Sequence, residues 1–246
     1  MTEGGRRLDE GPSPPGEAGP LARSAGVDAP LRPLEVIRAG RVPYRDGLAL
    51  QAARIEARRA GRVPDTLYLL EHPDVITLGT GSDPSHLLAS ESELETLGIE
   101  VFETGRGGDI TYHGPGQLVG YPILDLKPDR KDLHRYLRDL EGVLIAALAE
   151  FGIRAGREPG LTGVWTASGK IAAIGVRVSS GWITSHGFAL NVRPDLTRFG
   201  TIVPCGIADR AVTSLALELG AAPPMDAVEA AIVDAFAAEF RGRVPG

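Results

Sequence analysis

A chain of 246 residues, 43% hydrophobic and 24% charged, has an ordinary globular composition and enough length for one large core. Its formal net charge of −6 argues against a nucleic-acid surface, and its single cysteine excludes both an internal disulfide and a thiolate-based zinc site. No apolar run reaches the length of a membrane span and the N-terminus lacks an apolar signal core, so the sequence predicts a soluble, cytoplasmic protein with neither nucleic-acid nor membrane partners.

Residues 1–30 are rich in glycine, proline and charge and cannot bury enough surface to offset chain entropy; they read as a disordered tail ahead of a single domain over 31–246. A strand is predicted at 34–37, then a helix at 44–60 with Leu48, Ala52 and Ile55 on one side and Gly61 ending it. Strands follow at 66–71, 75–78 and 99–103, with a short helix before the last of them, opened by a Ser90/Glu93 capping box and closed by Gly98. Strands at 110–112 and 118–124 flank a glycine-rich loop. Leu133, Tyr136, Leu137, Leu140, Leu144, Ile145 and Leu148 recur at helical spacing over 132–151, and Gly152 stops that helix. From 164 to 191 strands alternate with tight turns at 167–169 and 179–181, a meander, and 227–240 is a closing helix. Helices interspersed with hairpins predict an α/β (α+β) domain on a mixed, largely antiparallel sheet with flanking helices.

The stretch from Arg106 to Tyr121, RGGDITYHGPGQLVGY, is polar and glycine-dense. Glycine loses more backbone freedom on ordering than any other residue, so its density points to positive-φ turns or close approach of backbone to a ligand. Around the glycines stand Arg106, Asp109, Thr111, Tyr112, His113 and Gln117, able to hydrogen-bond a polar ligand from several sides, which reads as the rigid rim of a binding site. The one cysteine, Cys205, lies between Pro204 and Gly206 on a predicted turn. It is either a small buried hydrophobe or a nucleophile; a thiolate attacks acyl carbonyls well provided something holds it deprotonated. Lys170 opens a predicted strand on the face of Ala172, Ile174 and Val176, either at the sheet's rim with its amine in water or partly desolvated. Arg54, Arg58, Arg59 and Arg62 on the first helix form either a solvated face or a basic patch for an acidic partner.

Together with LEHPDVITLG at 70–79, GVW at 163–165, GKIAAIG at 169–175, HGFALN at 186–191 and PCGI at 204–207, in that order, the glycine-rich stretch resembles the lipoyl(octanoyl) transferase family over about 34–219. The resemblance implies the fold of the biotin and lipoate protein ligase catalytic domains. It implies an acyltransferase that moves an octanoyl group from octanoyl-acyl carrier protein to a lysine on lipoyl domains of 2-oxoacid dehydrogenases and on the glycine cleavage H protein, in protein lipoylation, through a cysteine thioester and with neither cofactor nor metal. Cys205 and Lys170 match the family's catalytic dyad. Arg106, Gly107, Gly108, Asp109, Ile110, Thr111, Tyr112 and His113 match its substrate-binding positions, as do Ala173, Ile174, Gly175, Gly187, Phe188 and Ala189. Phe188 departs from the leucine expected there and leaves acyl-chain length open. His72, His113 and His186 are by default satisfied structural histidines. Two rivals remain at this point: an ATP-dependent ligase of the same fold, which needs a phosphate-binding element and no thiol, and a non-enzymatic acyl-binding protein, against which the presence of both Lys170 and Cys205 speaks.

Overall fold

In the computed structural model, residues 33–128, 130–204 and 211–240 are described, with Met1; Cys205 and almost all of the expected tail lie outside the described residues. The order is β1 (Leu34–Arg41), α1 (Tyr44–Arg59), β2 (Asp65–Glu71), β3 (Val75–Leu78), α2 (Glu91–Leu97), β4 (Glu100–Glu103), β5 (Ile110–His113), β6 (Gln117–Ile123), α3 (Leu133–Ala149), β7 (Gly156–Glu158), β8 (Leu161–Trp165), β9 (Lys170–Val178), β10 (Thr184–Asn191), α4 (Leu215–Leu219) and α5 (Met225–Glu239). The predicted punctuation operates as physics requires. Ser90 N–H donates to Glu93 Oε2 at 2.8 Å, Ser90 Oγ accepts from Glu93 N–H, and Gly98 closes α2 at φ 65°. Asp132 caps α3 by accepting from Arg135 N–H at 3.0 Å, so that helix starts one residue later than predicted. Strand β7 and helix α4 went unread, because segments of three and five residues are too short to show a period.

Seven strands pair in the order β1-β2-β6-β10-β9-β8-β7, and three more in the order β4-β3-β5. Only the β1/β2 and β3/β4 pairs are parallel, which gives the mixed, largely antiparallel sheet expected. Helices α3 and α5 cover one face of the large sheet with Leu140, Val143, Leu144, Ile232 and Phe236. The other face carries Tyr68, Leu70, Val119, Tyr121 and Ile123 toward α1. Strands β2 and β6, covered on both sides, therefore read as continuous apolar runs. No described helix is long and apolar enough to cross a membrane.

The structure settles one pairing that the sequence left open and changes one expectation. The strands flanking the glycine-rich loop do not pair with each other: β5 pairs with β3 in the small sheet, while β6 lies between β2 and β10 in the large one. The chain crosses between sheets where Gly114 lies beneath the Tyr112 side chain, so close that a Cβ would fall 1.9 Å from the phenol oxygen, and where Gly116 takes φ 87°. Helix α1 buries Tyr44, Gly47 and Gln51, while Ala52 is exposed. Its inner face meets polar groups, since Gln51 Oε1 accepts from His186 N–H at 2.7 Å and Gly47 packs on the His72 ring. Of the four arginines of the predicted patch, Arg54 and Arg58 are committed within the fold, whereas Arg59 and Arg62 are exposed. Arg54 donates to Thr66 Oγ1 at 2.6 Å and pairs with Glu35, Arg58 pairs with Asp65 at 2.7 Å, and Arg59 pairs with Glu56 of its own helix.

Candidate active site

A cavity enclosing about 490 Å³ of empty space, open mouth included, is lined from both sheets. Its floor is the small-residue ladder Ala173, Gly175, Gly187 and Ala189, in which Ala173 pairs with Ala189 and Gly175 with Gly187. Ile110, Thr111 and His113 of β5 face it, Arg106, Gly108 and Asp109 form its rim, and Ile174 and Phe188 complete the β9/β10 side. Tyr44 of α1, Val119 and Tyr121 of β6, and His186 close it; the first three carried no functional signal in the sequence, since Tyr44 lies on a distant helix and Val119 and Tyr121, at the end of the glycine-rich stretch, belong to its apolar strand. Of the predicted binding residues, Gly107 and Tyr112 do not line it. The Tyr112 hydroxyl donates to Asp74 Oδ1 at 2.6 Å, and its ring packs edge-on against Phe199 at 5.2 Å. The Phe188 ring lies across Gly120, where a Cβ would stand 2.1 Å from Cζ, so the extra bulk over leucine occupies the space a side chain at 120 would fill.

The glycines bring backbone against backbone. A Cβ on Gly79 would fall 2.2 Å from the Gly108 carbonyl oxygen and one on Gly175 would fall 2.9 Å from that of Gly107. The loop can therefore hydrogen-bond both sheets: Gly107 N–H donates to the Val176 carbonyl at 2.9 Å, and Thr80 N–H to that of Arg106 at 2.9 Å. Arg106, 7% exposed, fixes the same loop to β3, donating to the Thr77 carbonyl at 2.6 Å and to Thr77 Oγ1 at 2.8 Å.

A smaller cavity shares Thr111, Ala173 and Ala189 with the larger one and is lined also by Gln117, Lys170, Asn191, Phe199 and Pro204. Lys170 is 7% exposed, which decides between its two readings in favour of burial. Gly163, at φ 121°, leaves room for it: a Cβ there would stand 2.7 Å from Lys170 Cε. The ammonium rests 5.2 Å from the centroid of the Trp165 ring, a cation–π contact. A strap holds the lysine's backbone, with Lys170 N–H donating to the Ala211 carbonyl and Thr213 N–H to that of Lys170, both at 2.9 Å. Side chains continue this connection. Asn191 Nδ2 donates to the Thr213 carbonyl at 3.0 Å, Gln117 Nε2 to Asn191 Oδ1 at 2.9 Å, and His113 Nδ1–H to Gln117 Oε1 at 2.7 Å. Cys205 itself lies outside the described residues, between Pro204 and Ala211, both of which reach this site.

Two histidines, His113 and His186, line the larger cavity and a third, His72, packs behind His113 and Tyr121; burial lowers the pKa of each. The His113 pKa is held down to about 3 by burial and then by His72, with Arg106 adding to the effect, and that of His186 is held near 4 by burial, Arg106 and Arg177. His72, lowered by burial, bridges the Val42 carbonyl (2.6 Å) and the Tyr121 hydroxyl (2.7 Å). A folded-state pKa below the unfolded value near 6.5 means that the unfolded chain binds more protons between the two values. The resulting stability is present above pH 6.5 and is lost as the pH falls toward the folded values. Melting midpoints should therefore drop from pH 6.5 to 4.5, and His113→Gln should show a shallower drop; parallel slopes in calorimetry would count against this account.

The lipoyl protein ligase A/B catalytic domain family matches residues 43–237. The octanoyltransferase of Rubrobacter xylanophilus is 56% identical over 198 residues, covering 80% of this chain and 89% of the relative. The chain belongs to the octanoyltransferase family. Solved structures show the octanoyltransferase fold to be shared more widely. A lipoate protein ligase from Thermoplasma acidophilum superposes with a TM-score of 0.65 at 17% identity, covering 84% of each chain, and a biotin protein ligase from Aquifex aeolicus with 0.51 at 14% identity, covering 85% of this chain and 70% of that one. At such identities they establish the fold alone. In this octanoyltransferase several of the described family blocks converge on the two cavities. The GVW block supplies the seat of Lys170 (Gly163 and Trp165), the HGPGQ and ALN segments supply the polar chain to the strap, and the AIG and GFA segments supply the cavity floor.

Proposed function

We propose that this octanoyltransferase takes the octanoyl group from an acyl carrier protein thioester onto Cys205 and passes it to a lysine of a lipoyl domain, with Lys170 as counter-ion and proton relay. The observation that carries this reading is the buried Lys170 in a cavity that Pro204, the neighbour of the sole cysteine, also lines, and that shares the walls Thr111, Ala173 and Ala189 with a larger, small-residue-floored cavity suited to an alkyl chain. The Lys170 ammonium favours the Cys205 thiolate, which adds to the donor carbonyl; backbone N–H groups stabilise the oxyanion, and collapse expels the donor thiolate, which takes the ammonium's proton. The acceptor amine then attacks the Cys205 thioester and gives up its proton to the neutral Lys170 amine, while the Cys205 thiolate leaves. The charge on Lys170 is thereby restored.

Incubation with octanoyl-carrier protein and no nucleotide should raise the intact mass by one octanoyl group, removable by neutral hydroxylamine. An adduct that forms only with ATP and free acid would mark a ligase. Tight acyl-carrier binding with no adduct and no transfer would mark a binding protein.

A further inference from the structure

The cavity floor runs from Ala173 opposite Ala189 through Gly175 opposite Gly187 and ends at His186, which pairs with Val176. Lys170 begins the same strand, roughly 20 Å of β-strand before Val176, part of which its own side chain spans. His186 thus marks the end of the cavity away from the amine. It also has an unusual backbone. Among the described residues only Trp182 and His186 combine a side chain with positive φ; Trp182 is in the turn before β10, whereas His186, at φ 56°, is inside the strand. Such a conformation persists only where the surroundings impose it, and it concentrates at functional sites. The surroundings here are Gln51, 3% exposed, whose side-chain oxygen accepts from His186 N–H at 2.7 Å, and Tyr121, whose ring meets the imidazole edge-on at 6.4 Å. The imidazole is 7% exposed and lines the cavity, and neither ring nitrogen has a hydrogen-bond partner among the described residues.

We propose that His186, braced by Gln51 and Tyr121, is the stop against which the methyl end of the acyl chain rests, and that it sets the chain length the pocket accepts. This rests on the function proposed above, which makes the Lys170 end the reacting end. Burying each further methylene ordinarily favours binding by about fourfold. A chain longer than the floor meets the imidazole instead, and pressing a methyl group onto it keeps both ring nitrogens from any polar partner. The stop is therefore steric and polar together, and it owes its position to the left-handed turn, which redirects the strand at that residue.

Transfer from octanoyl-, decanoyl- and dodecanoyl-carrier protein tests this in wild type, His186→Gly and His186→Asn. Glycine and asparagine both accept left-handed backbone, so each removes the ring while keeping the turn. The ratio of kcat/KM for decanoyl over octanoyl should rise by about tenfold or more in both variants. A ratio within about twofold of wild type in a variant folded by circular dichroism overturns the proposal, and loss of fold in both variants does so too, by making His186 structural. Wild type that accepts no acyl group from any of the three donors overturns the underlying function instead, and this inference with it.

Discussion

Cys205→Ser is expected to reduce octanoyl transfer below detection while leaving the melting temperature within a few degrees of wild type. A hydroxyl beside an ammonium is scarcely ionised near neutral pH, whereas a thiol in the same field is, and a serine ester would be a poorer acyl donor to an amine than a thioester. The covalent adduct seen by mass should appear on wild type only. The residues that seat Lys170 and line its cavity are fixed by contacts independent of the sulfur, so the variant should keep its fold. Robust transfer by the serine variant would sink the acyl-enzyme scheme.

Lys170→Arg separates two roles of the lysine, because arginine keeps the charge but does not release a proton near neutral pH. The variant should still show alkylation of Cys205 at depressed pH yet lose on the order of 10²–10⁴-fold in turnover, the usual worth of general acid–base catalysis. Lys170→Met should lose both properties. The seat adds a structural control: Gly163 gives clearance for one methylene chain and Trp165 faces one ammonium, so a guanidinium must shift one or the other. Near-UV circular dichroism of the tryptophans reports such a shift. An intact near-UV spectrum with lost turnover therefore assigns the loss to proton transfer, and near wild-type transfer by the arginine variant would leave Lys170 as a counter-ion only.

What could be read locally was read correctly for local reasons. The Ser90 capping box, the Gly98 stop, the apolar period of α3 and the tight turns between the strands of 164–191 depend on neighbours within a few residues, and the structure reproduces them. Helix α1 was misread because its inner face carries Gly47 and Gln51, chosen for the His72 ring and the His186 amide rather than for hydrophobicity.

The sequence by itself determined the family, through motif blocks in a fixed order, and with it the identity of the two groups proposed for chemistry. It determined the secondary structure wherever capping, glycine stops or period were strong. Only the tertiary structure decided that β5 and β6 belong to different sheets, that Lys170 is buried on Gly163 and Trp165, and that Tyr44, Val119, Tyr121 and His186 close the cavity. The reason is that these contacts are made by folding rather than by neighbours in sequence. Tyr44 and His186 meet residues dozens of positions away, and even the short span from Lys170 to Gly163 and Trp165 is closed by strand pairing and by which glycine leaves room for which side chain, quantities that no local pattern in a single sequence carries.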